Sequence, residues 1–559
     1  MIPVTGIDFG TSYSCFCVRN ETGNSFLSPD DDSPLIPSCI SMTDRDIHLG
    51  WASVKDALRD NFLAFREFKP YIGHTMKEIR SWEEKALPYD FNGEPYPYLY
   101  GKQRKTGKIK GYGYPSFVLS CYLNAVASMA LDQGRSKISD VVLAVPVNSS
   151  ASQLHSYVEA ARLAGLNVLR TVPEPCAAVY ACWDQVSMYR QVLVCDLGGG
   201  PFNLSLLSIQ NSSIQVVNTI RGNTFGGRDI DEMIAQEFRN ICRINDIFIN
   251  PTKPEYRKLL IEAEEMKKKL STEEYSAFDV SDYGDSSVSA SLTRAWLTDL
   301  LNESVEEVVQ YIEKLTRNLK DPSIAILLIG GCSHIPLFAD RIQTRFTNIP
   351  VIKLKNADTV IAEGAAQIGM NEFRLNSRRI VVQNYSLMDI YYQIDSSSTT
   401  LLLQRGTSCD VQKCVRLDLG SNTKRITLWQ NENDLLKAFL SLDVESLPRG
   451  TVEILVTFDP CGELHMECEG RQLTCHYYCA LPSSEREKFM VIEPLLCDVT
   501  RTMKNLKEKQ YSSDIDSVMN YLEKLKKIAS NSLFQGASEN SLNYIRSLHE
   551  QLRQYLGSS

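Results

Sequence analysis

The chain has 559 residues, 43% of them hydrophobic and 23% charged, and a net charge of −9. That length predicts several domains of about 100–200 residues, and the acidic balance argues against a general nucleic-acid binder, which carries a basic footprint. No apolar run approaches the ~20 residues that cross a bilayer, and the N-terminus begins directly with a strand pattern, so neither a membrane span nor a signal peptide is expected.

In chain order, Val4–Phe9 reads as a strand. It lies in the run Gly6-Ile7-Asp8-Phe9-Gly10-Thr11-Ser12-Tyr13-Ser14-Cys15: a strand ending in a carboxylate, a glycine turn with hydroxyls, and a return strand. Residues 84–114, rich in Tyr, Pro and Gly, read as a surface excursion, with a basic run from Lys102 to Lys110 in an exposed loop. Val141–Val145 reads as a strand, and Ser152 to Ala164 has apolar residues at helical spacing. The apolar run Gln191–Val194 leads to Asp196, then Leu197, three glycines (Gly198, Gly199, Gly200), Pro201-Phe202-Asn203 and a second apolar run, Leu204–Ile209. A hairpin turn without side chains lets backbone N–H groups close on an anion, and a carboxylate at the strand end can order a metal's water beside it. Lys253 to Ser271 carries Leu259, Leu260, Ala263, Met266 and Leu270 on one helical stripe. A third glycine turn, Gly330-Gly331, closes the run Ile326–Ile329. Sixteen cysteines are scattered, several inside apolar strands (Cys195, Cys332), without the paired spacing of zinc sites; they read as buried reduced thiols of a cytoplasmic protein.

Two similar Asp-and-glycine hairpins far apart suggest two related lobes, each offering a phosphate loop to a shared cleft. Here the chain resembles the heat-shock protein 70 (DnaK-type) chaperones. Five motifs carry the resemblance, in order over roughly the first 370 residues: Gly6–Cys15, Leu166–Pro175 with its Glu174-Pro175 pair, Asp196–Asn203, Phe225–Asp231 and Ile329–Pro336. The fold class implied is α/β: an actin-like two-lobed ATPase domain (residues 1–377), an interdomain linker (378–384), a β-sandwich peptide-binding domain (385–481) and a short helical lid (482–559).

The resemblance implies ATP or ADP with Mg²⁺ as ligands. Asp8 and Asp196 match the residues that hold the metal through water. Gly10, Thr11, Ser12, Tyr13, Gly198, Gly199 and Gly200 match the phosphate loops. Lys69, Glu174, Asp196 and Thr11 match catalytic positions. Glu264, Lys267, Lys268 and Ser271 match the adenosine helix, and Gly226, Gly227, Gly330, Gly331, Cys332, His334 and Asp358 match the rest of the nucleoside wall. Phosphoryl transfer to water draws on such positioning and charge rather than covalent chemistry.

The chain also departs from the family pattern. Pro201 stands where the family has Thr, and lacks both hydroxyl and N–H. Asn203 replaces a second Asp, His334 replaces an arginine against adenine, and Leu154 replaces an arginine that relays nucleotide state. Losing one preorganised polar contact can cost on the order of 100-fold in rate, so slowed hydrolysis is expected.

After Arg374, Arg378 and Arg379, the apolar segment Ile380-Val381-Val382 matches the linker, but Gln383 replaces its acidic end, so weakened coupling between domains is expected. Tyr391–Ile394, Thr399–Leu403, Lys424–Trp429 and Val452–Phe458 read as short strands. Pro482-Ser483-Ser484 opens a helix that Pro494 is expected to interrupt, and two further stripes (Val518 to Ile528, Leu542 to Leu556) complete a small bundle.

Three functions compete. The first is a chaperone that binds unfolded or apolar peptide segments, with a slow ATPase, served by a J-domain co-chaperone and a nucleotide-exchange factor. The second is a scaffold that holds nucleotide and hydrolyses little. The third, an exchange factor itself, is weakest, because the long β-domain insertion and enlarged lid of that branch are not visible.

Overall fold

The computed structural model describes residues 2–557 apart from short stretches (30–32, 43–46, 60–62, 80–86, 88, 103–108, 134, 136, 252–253, 285–287, 318, 320–322, 376–379, 384–385, 387, 410–411, 433–434, 445–446, 509–512 and 534–537). Arg378, Arg379, most of the Lys102–Lys110 run and the expected 377/378 boundary lie outside the described residues. The chain divides into two compact units: residues 1–35, 140–154 and 168–478 form one, and residues 36–139, 155–167 and 479–559 the other.

The first unit contains two sheets of matching topology. In one, the order is Asn167–Pro173, Asp140–Val145, Val4–Phe9, Tyr13–Asn20, Gly23–Phe26. In the other it is Val351–Lys353, Ile324–Ile329, Gln191–Asp196, Pro201–Gln210, Ser213–Gly226 and finally Val381–Val382. Each central strand pairs in parallel on one side, Thr5 with Val141 and Gln191 with Ile324. On the other side each pairs antiparallel with its own hairpin partner. Both central strands are almost wholly buried, as strands covered on two faces must be. Gly6 is required there, because a Cβ would lie 2.1 Å from the Ala362 carbonyl of the covering helix Val360–Phe373.

The strands from 390 onward, four of them expected from the sequence, form two further sheets. One is ordered Thr400–Leu403, Ile390–Ile394, Arg425–Glu432, Leu435–Asp443, Cys475–Tyr477; the other Lys413–Leu419, Gly450–Phe458, Leu464–Cys468, Arg471–Gln472. They share one apolar core that includes Leu417, Leu428, Phe439, Leu440, Ile454 and Met466. The alternation of buried and exposed residues along Gly450–Val456 shows one face turned to that core.

In the second unit the 84–114 excursion forms a three-stranded antiparallel sheet, Asp90–Asn92, Tyr98–Lys102 and Ile109–Gly113, beside an aromatic cluster in which the Tyr71 and Phe91 rings lie 4.6 Å apart. The helix Pro115–Asp132 follows. Three helices close the chain: Ser483–Glu508, Ser513–Leu533 and Glu539–Gly557. The first runs straight through Pro494, against expectation. Proline there removes the bond to the carbonyl four residues back, on Met490, a residue on the exposed side of the helix at 63% exposure.

The described cysteines carry free thiols, and most are buried. Among the described residues no helix is long and apolar enough to cross a membrane.

Candidate nucleotide site

The two hairpins present their carboxylates in the same way. Asp8 pairs in register with Cys15, followed by one further pair, Phe9 with Ser14, and Asp196 pairs with Asn203, the last pair before its turn. The turns lie against each other. A Cβ on Gly199 would fall 2.4 Å from Ser12 Oγ, and one on Gly200 would fall 2.9 Å from Thr11 Oγ1. A side chain at either position would have to displace these hydroxyls. Gly10 obeys the same rule, its Cβ position lying 2.1 Å from the Tyr13 carbonyl.

The second turn is tied down through its carbonyls. Gly227 N–H donates to Gly198 O at 2.9 Å, Arg228 N–H to Gly199 O at 3.0 Å, and Cys332 N–H to Leu197 O at 2.8 Å. Gly226 passes so close that a Cβ would meet the Gly200 carbonyl at 1.8 Å. The amide N–H groups of Gly198, Gly199 and Gly200 have no backbone partner among the described residues. Fixed carbonyls with open N–H groups make an anion nest. The third turn braces it: Gly330, at φ +80°, has its Cβ position 2.8 Å from Asp196 Oδ1.

The helix Pro254–Thr272 supplies a wall. Lys267 is buried, and its Nζ lies 2.7 Å from Asp231 Oδ1 and donates to Gly227 O at 3.0 Å. Burial pulls its pKa down, but Asp231, Cys332 and Glu264 outweigh burial and leave it raised. Lys268 Nζ lies 3.1 Å from Glu264 Oε1 and 3.0 Å from the Tyr13 hydroxyl. Ser271 turns its hydroxyl back onto the Lys267 carbonyl at 2.8 Å. His334 Nε2 lies 3.3 Å from Asp358 Oδ1, and this contact raises the imidazole pKa against a smaller opposing effect of burial. The Cys332 thiol, donating to Gly198 O, is pushed up to about 11, chiefly by burial. Glu174 is buried at the first turn of the helix Glu174–Ala181.

Nearly all the expected site residues thus fall in the first unit, around the facing turns and their wall. Lys69 does not: it opens a 3-10 turn, Lys69–Tyr71, of the second unit. Among the described residues no cluster of three or more His, Cys, Asp or Glu is placed to hold a metal. Two carboxylates at adjacent turns fit a divalent ion held through its water shell beside phosphate oxygens, rather than one ligated directly by protein. Asn203 brings no charge to that set, and its Nδ2 donates to its own loop at Pro201 O, 3.4 Å away.

A family model described as Hsp70 protein matches residues 4–556. The chain belongs to the Hsp70 family. It is 26% identical over 471 residues to a chaperone protein HscA homolog of Colwellia psychrerythraea, covering 81% of this chain and 73% of that protein. It is likewise 26% identical over 485 residues to a heat shock 70 kDa protein of Emericella nidulans, with 82% and 74% covered.

One group of residues in this Hsp70-family chain escaped the sequence reading. Arg170 Nη1 pairs with Glu372 at 2.7 Å, and its Nη2 donates to the Val382 carbonyl at 3.4 Å. Val382 is buried and belongs to the strand added to the second sheet, where Val381 N–H donates to Ser212 O and Gln383 N–H to Ile214 O. The next residue, Thr171, receives a loop of the sandwich: its N–H donates to Pro460 O at 3.2 Å and its hydroxyl to Cys461 O at 3.0 Å. Leu154 brings an apolar side chain near the same loop, its Cδ1 3.5 Å from where a Cβ on Gly462 would stand. The signal was present in the adjacency of Arg170 and Thr171 to the Glu174-Pro175 motif, but the partners lie some 200 to 290 residues away.

Proposed function

We propose that this protein is an ATP-binding chaperone that takes exposed apolar peptide segments, with slowed ATP hydrolysis and weakened coupling between nucleotide and peptide sites. The reading assigns residues 1–377 to an actin-like two-lobed nucleotide domain, 378–384 to the linker, 385–481 to the peptide-binding sandwich and 482–559 to a helical lid. The observation that carries it is the turn Gly198–Gly200, where the Gly198 and Gly199 carbonyls accept backbone N–H groups while the turn's own N–H groups, opposite Thr11 and Ser12, have no backbone partner among the described residues. Family membership and relatives named as chaperones support it further.

Bound Mg-ATP would supply the phosphoryl group and the charge neutralisation that transfer to water needs. The protein's share is orientation. Asp8 and Asp196 would order the metal's water, the glycine N–H groups and the Thr11 and Ser12 hydroxyls would hold phosphate oxygens, and Glu174 would orient the attacking water; the resemblance alone gives Lys69 its catalytic role. Glu264, Lys267, Lys268, Ser271, His334 and Asp358 enclose the nucleoside. Pro201 offers neither N–H nor hydroxyl, and Asn203 spends its amide on Pro201 O, so fewer groups steady the transition state. These two residues also favour the second reading, a scaffold that holds nucleotide without turning it over. A J-domain partner and an exchange factor belong to the first reading alone.

A single-turnover ATPase assay with and without an apolar peptide decides between them. Slow turnover that peptide accelerates supports the chaperone. Tight nucleotide binding without turnover or peptide response supports the scaffold. No stabilisation by millimolar nucleotide overturns both, since ligand at 100 times Kd adds about 2.7 kcal/mol.

A further inference from the structure

The cations of the nucleoside wall differ in how they respond to pH. Burial draws Lys267 and Lys268 down, but the carboxylates beside them, Asp231 and Glu264 foremost, leave both raised, so neither loses its charge near neutrality. His334 is different, because an imidazole titrates in that range. Its side chain is 41% exposed, so bulk solvent reaches it, and its Nε2 lies 3.3 Å from Asp358 Oδ1. That oxygen is buried, and the ion pair with His334 is the only one Asp358 makes among the described residues.

Both side chains stand on backbone that is bonded into the glycine turns. His334 ends the short 3-10 turn Gly331–His334, in which the Cys332 N–H donates to Leu197 O at 2.8 Å. Asp358 follows Ala357, whose carbonyl accepts the Gly330 N–H at 3.0 Å. The pair is thus tied to the strand end that carries Asp196 and Gly198. On the neighbouring helices, Lys267 pairs with Asp231 at 2.7 Å and Lys268 with Glu264 at 3.1 Å. Lys267, Asp231 and Glu264 act on the Cys332 thiol, two residues before His334, but the charge that acts on the imidazole itself is Asp358.

With the imidazole protonated, the pair carries no net charge. With the imidazole neutral, Asp358 is a carboxylate without a counter-ion. The wall then presents one more negative charge to a ligand that is itself a polyanion, and repulsion is stronger where protein displaces water. Binding therefore favours the protonated pair, and by linkage a bound nucleotide holds the proton on His334.

We propose that the His334–Asp358 pair makes nucleotide retention pH-sensitive: the protonated pair holds the ligand and the deprotonated pair releases it. This rests on the reading of the site as one for ATP and ADP.

The test is calorimetric binding of Mg-ADP to the full chain from pH 5.5 to 8.5 at fixed ionic strength. Terminal phosphates ionise near the same range, so each native value is divided by that of His334→Gln at the same pH. This relative affinity is expected to fall about threefold or more across the range, the scale of one added charge in a partly solvated site. His334→Arg keeps a cation opposite Asp358 at every pH and is expected to abolish the fall while keeping the tighter affinity. The imidazole proton resonance of His334, identified by its loss in His334→Gln, is expected to titrate at higher pH with ADP bound than without. A relative affinity that stays constant or rises with pH overturns the proposal and leaves the nucleotide site standing. A His334 midpoint that ADP lowers or leaves unmoved overturns it equally. If no form binds ADP at any pH, the site reading itself falls and the proposal with it. Should His334→Gln fail to fold, His334→Arg supplies the reference, and a constant ratio again overturns the proposal.

Discussion

The Lys268 ammonium lies 3.0 Å from the Tyr13 hydroxyl and 4.9 Å from the centre of the Tyr13 ring, so one side chain joins the wall helix to the first phosphate turn. Burial draws the lysine pKa down, yet Glu264 and Glu265 prevail and leave it raised, so the cation persists at neutral pH. Lys268→Met is expected to weaken nucleotide binding by about tenfold, the equivalent of 1.4 kcal/mol, which is within the range of a desolvated cation–ring contact. Tyr13→Phe retains the ring and is expected to lose less. Stopped-flow release of a fluorescent nucleotide measures both.

Hydrolysis offers a second expectation. Pro201→Thr with Asn203→Asp restores a hydroxyl, an N–H and a carboxylate to the second turn. The single-turnover rate is expected to rise by on the order of 10–100-fold. An unchanged rate in a folded variant would show that another step is limiting.

Coupling between the nucleotide and peptide sites is expected to be weak. Leu154 brings no charge to the sandwich loop, and Gln383 engages Ile214 through its backbone N–H. A ligand moves a conformational equilibrium only by its differential affinity for the two states. Affinity for a labelled apolar peptide, read by fluorescence anisotropy, is expected to differ by less than about tenfold between ATP and ADP. A hundredfold loss on adding ATP would restore a full chaperone cycle.

His334 gives a pH dependence with a definite sign. Its folded-state pKa lies above the ordinary 6.5 because Asp358 favours the imidazolium. The contribution to stability is full below about pH 6.5 and fades as pH rises through the raised value. The ring is 41% exposed, so solvent screens the effect and it is small. Melting temperature measured from pH 5.5 to 8.5 is expected to fall less steeply in His334→Gln than in the native chain.

Much of this was legible in local spacing. Both hairpins announced themselves as an apolar run, a carboxylate and glycines, because the turns pack closely: the Tyr13 carbonyl bars a Cβ at Gly10, and one at Gly199 would press on the Ser12 hydroxyl. The helix Pro254–Thr272 showed its apolar stripe, although the sequence did not reveal that Lys267 is buried against Asp231, 36 residues earlier in the chain, instead of lying on a solvated face with its lysine neighbours. Pro494 misled because a proline costs one backbone hydrogen bond, and the residue that loses it, Met490, lies on the exposed side of a long helix. Arg170 was passed over because nothing near it in sequence names Glu372 or Val382 as its partners. Residue type reports chemistry available; pairing across hundreds of residues is decided by the fold.

The short strand Val381–Val382 caps the last strand of the second sheet at Ser213 and Ile214. If it leaves, an edge with unpaired backbone groups is laid bare beside Ile214, which is now fully buried, and Val382 carries its own apolar side into water. Unguarded edges of this kind recruit strands from other molecules. The dipeptide Val381–Val382 is therefore also a guard against self-association, and a form with this strand released is expected to oligomerise, increasingly so as its concentration rises.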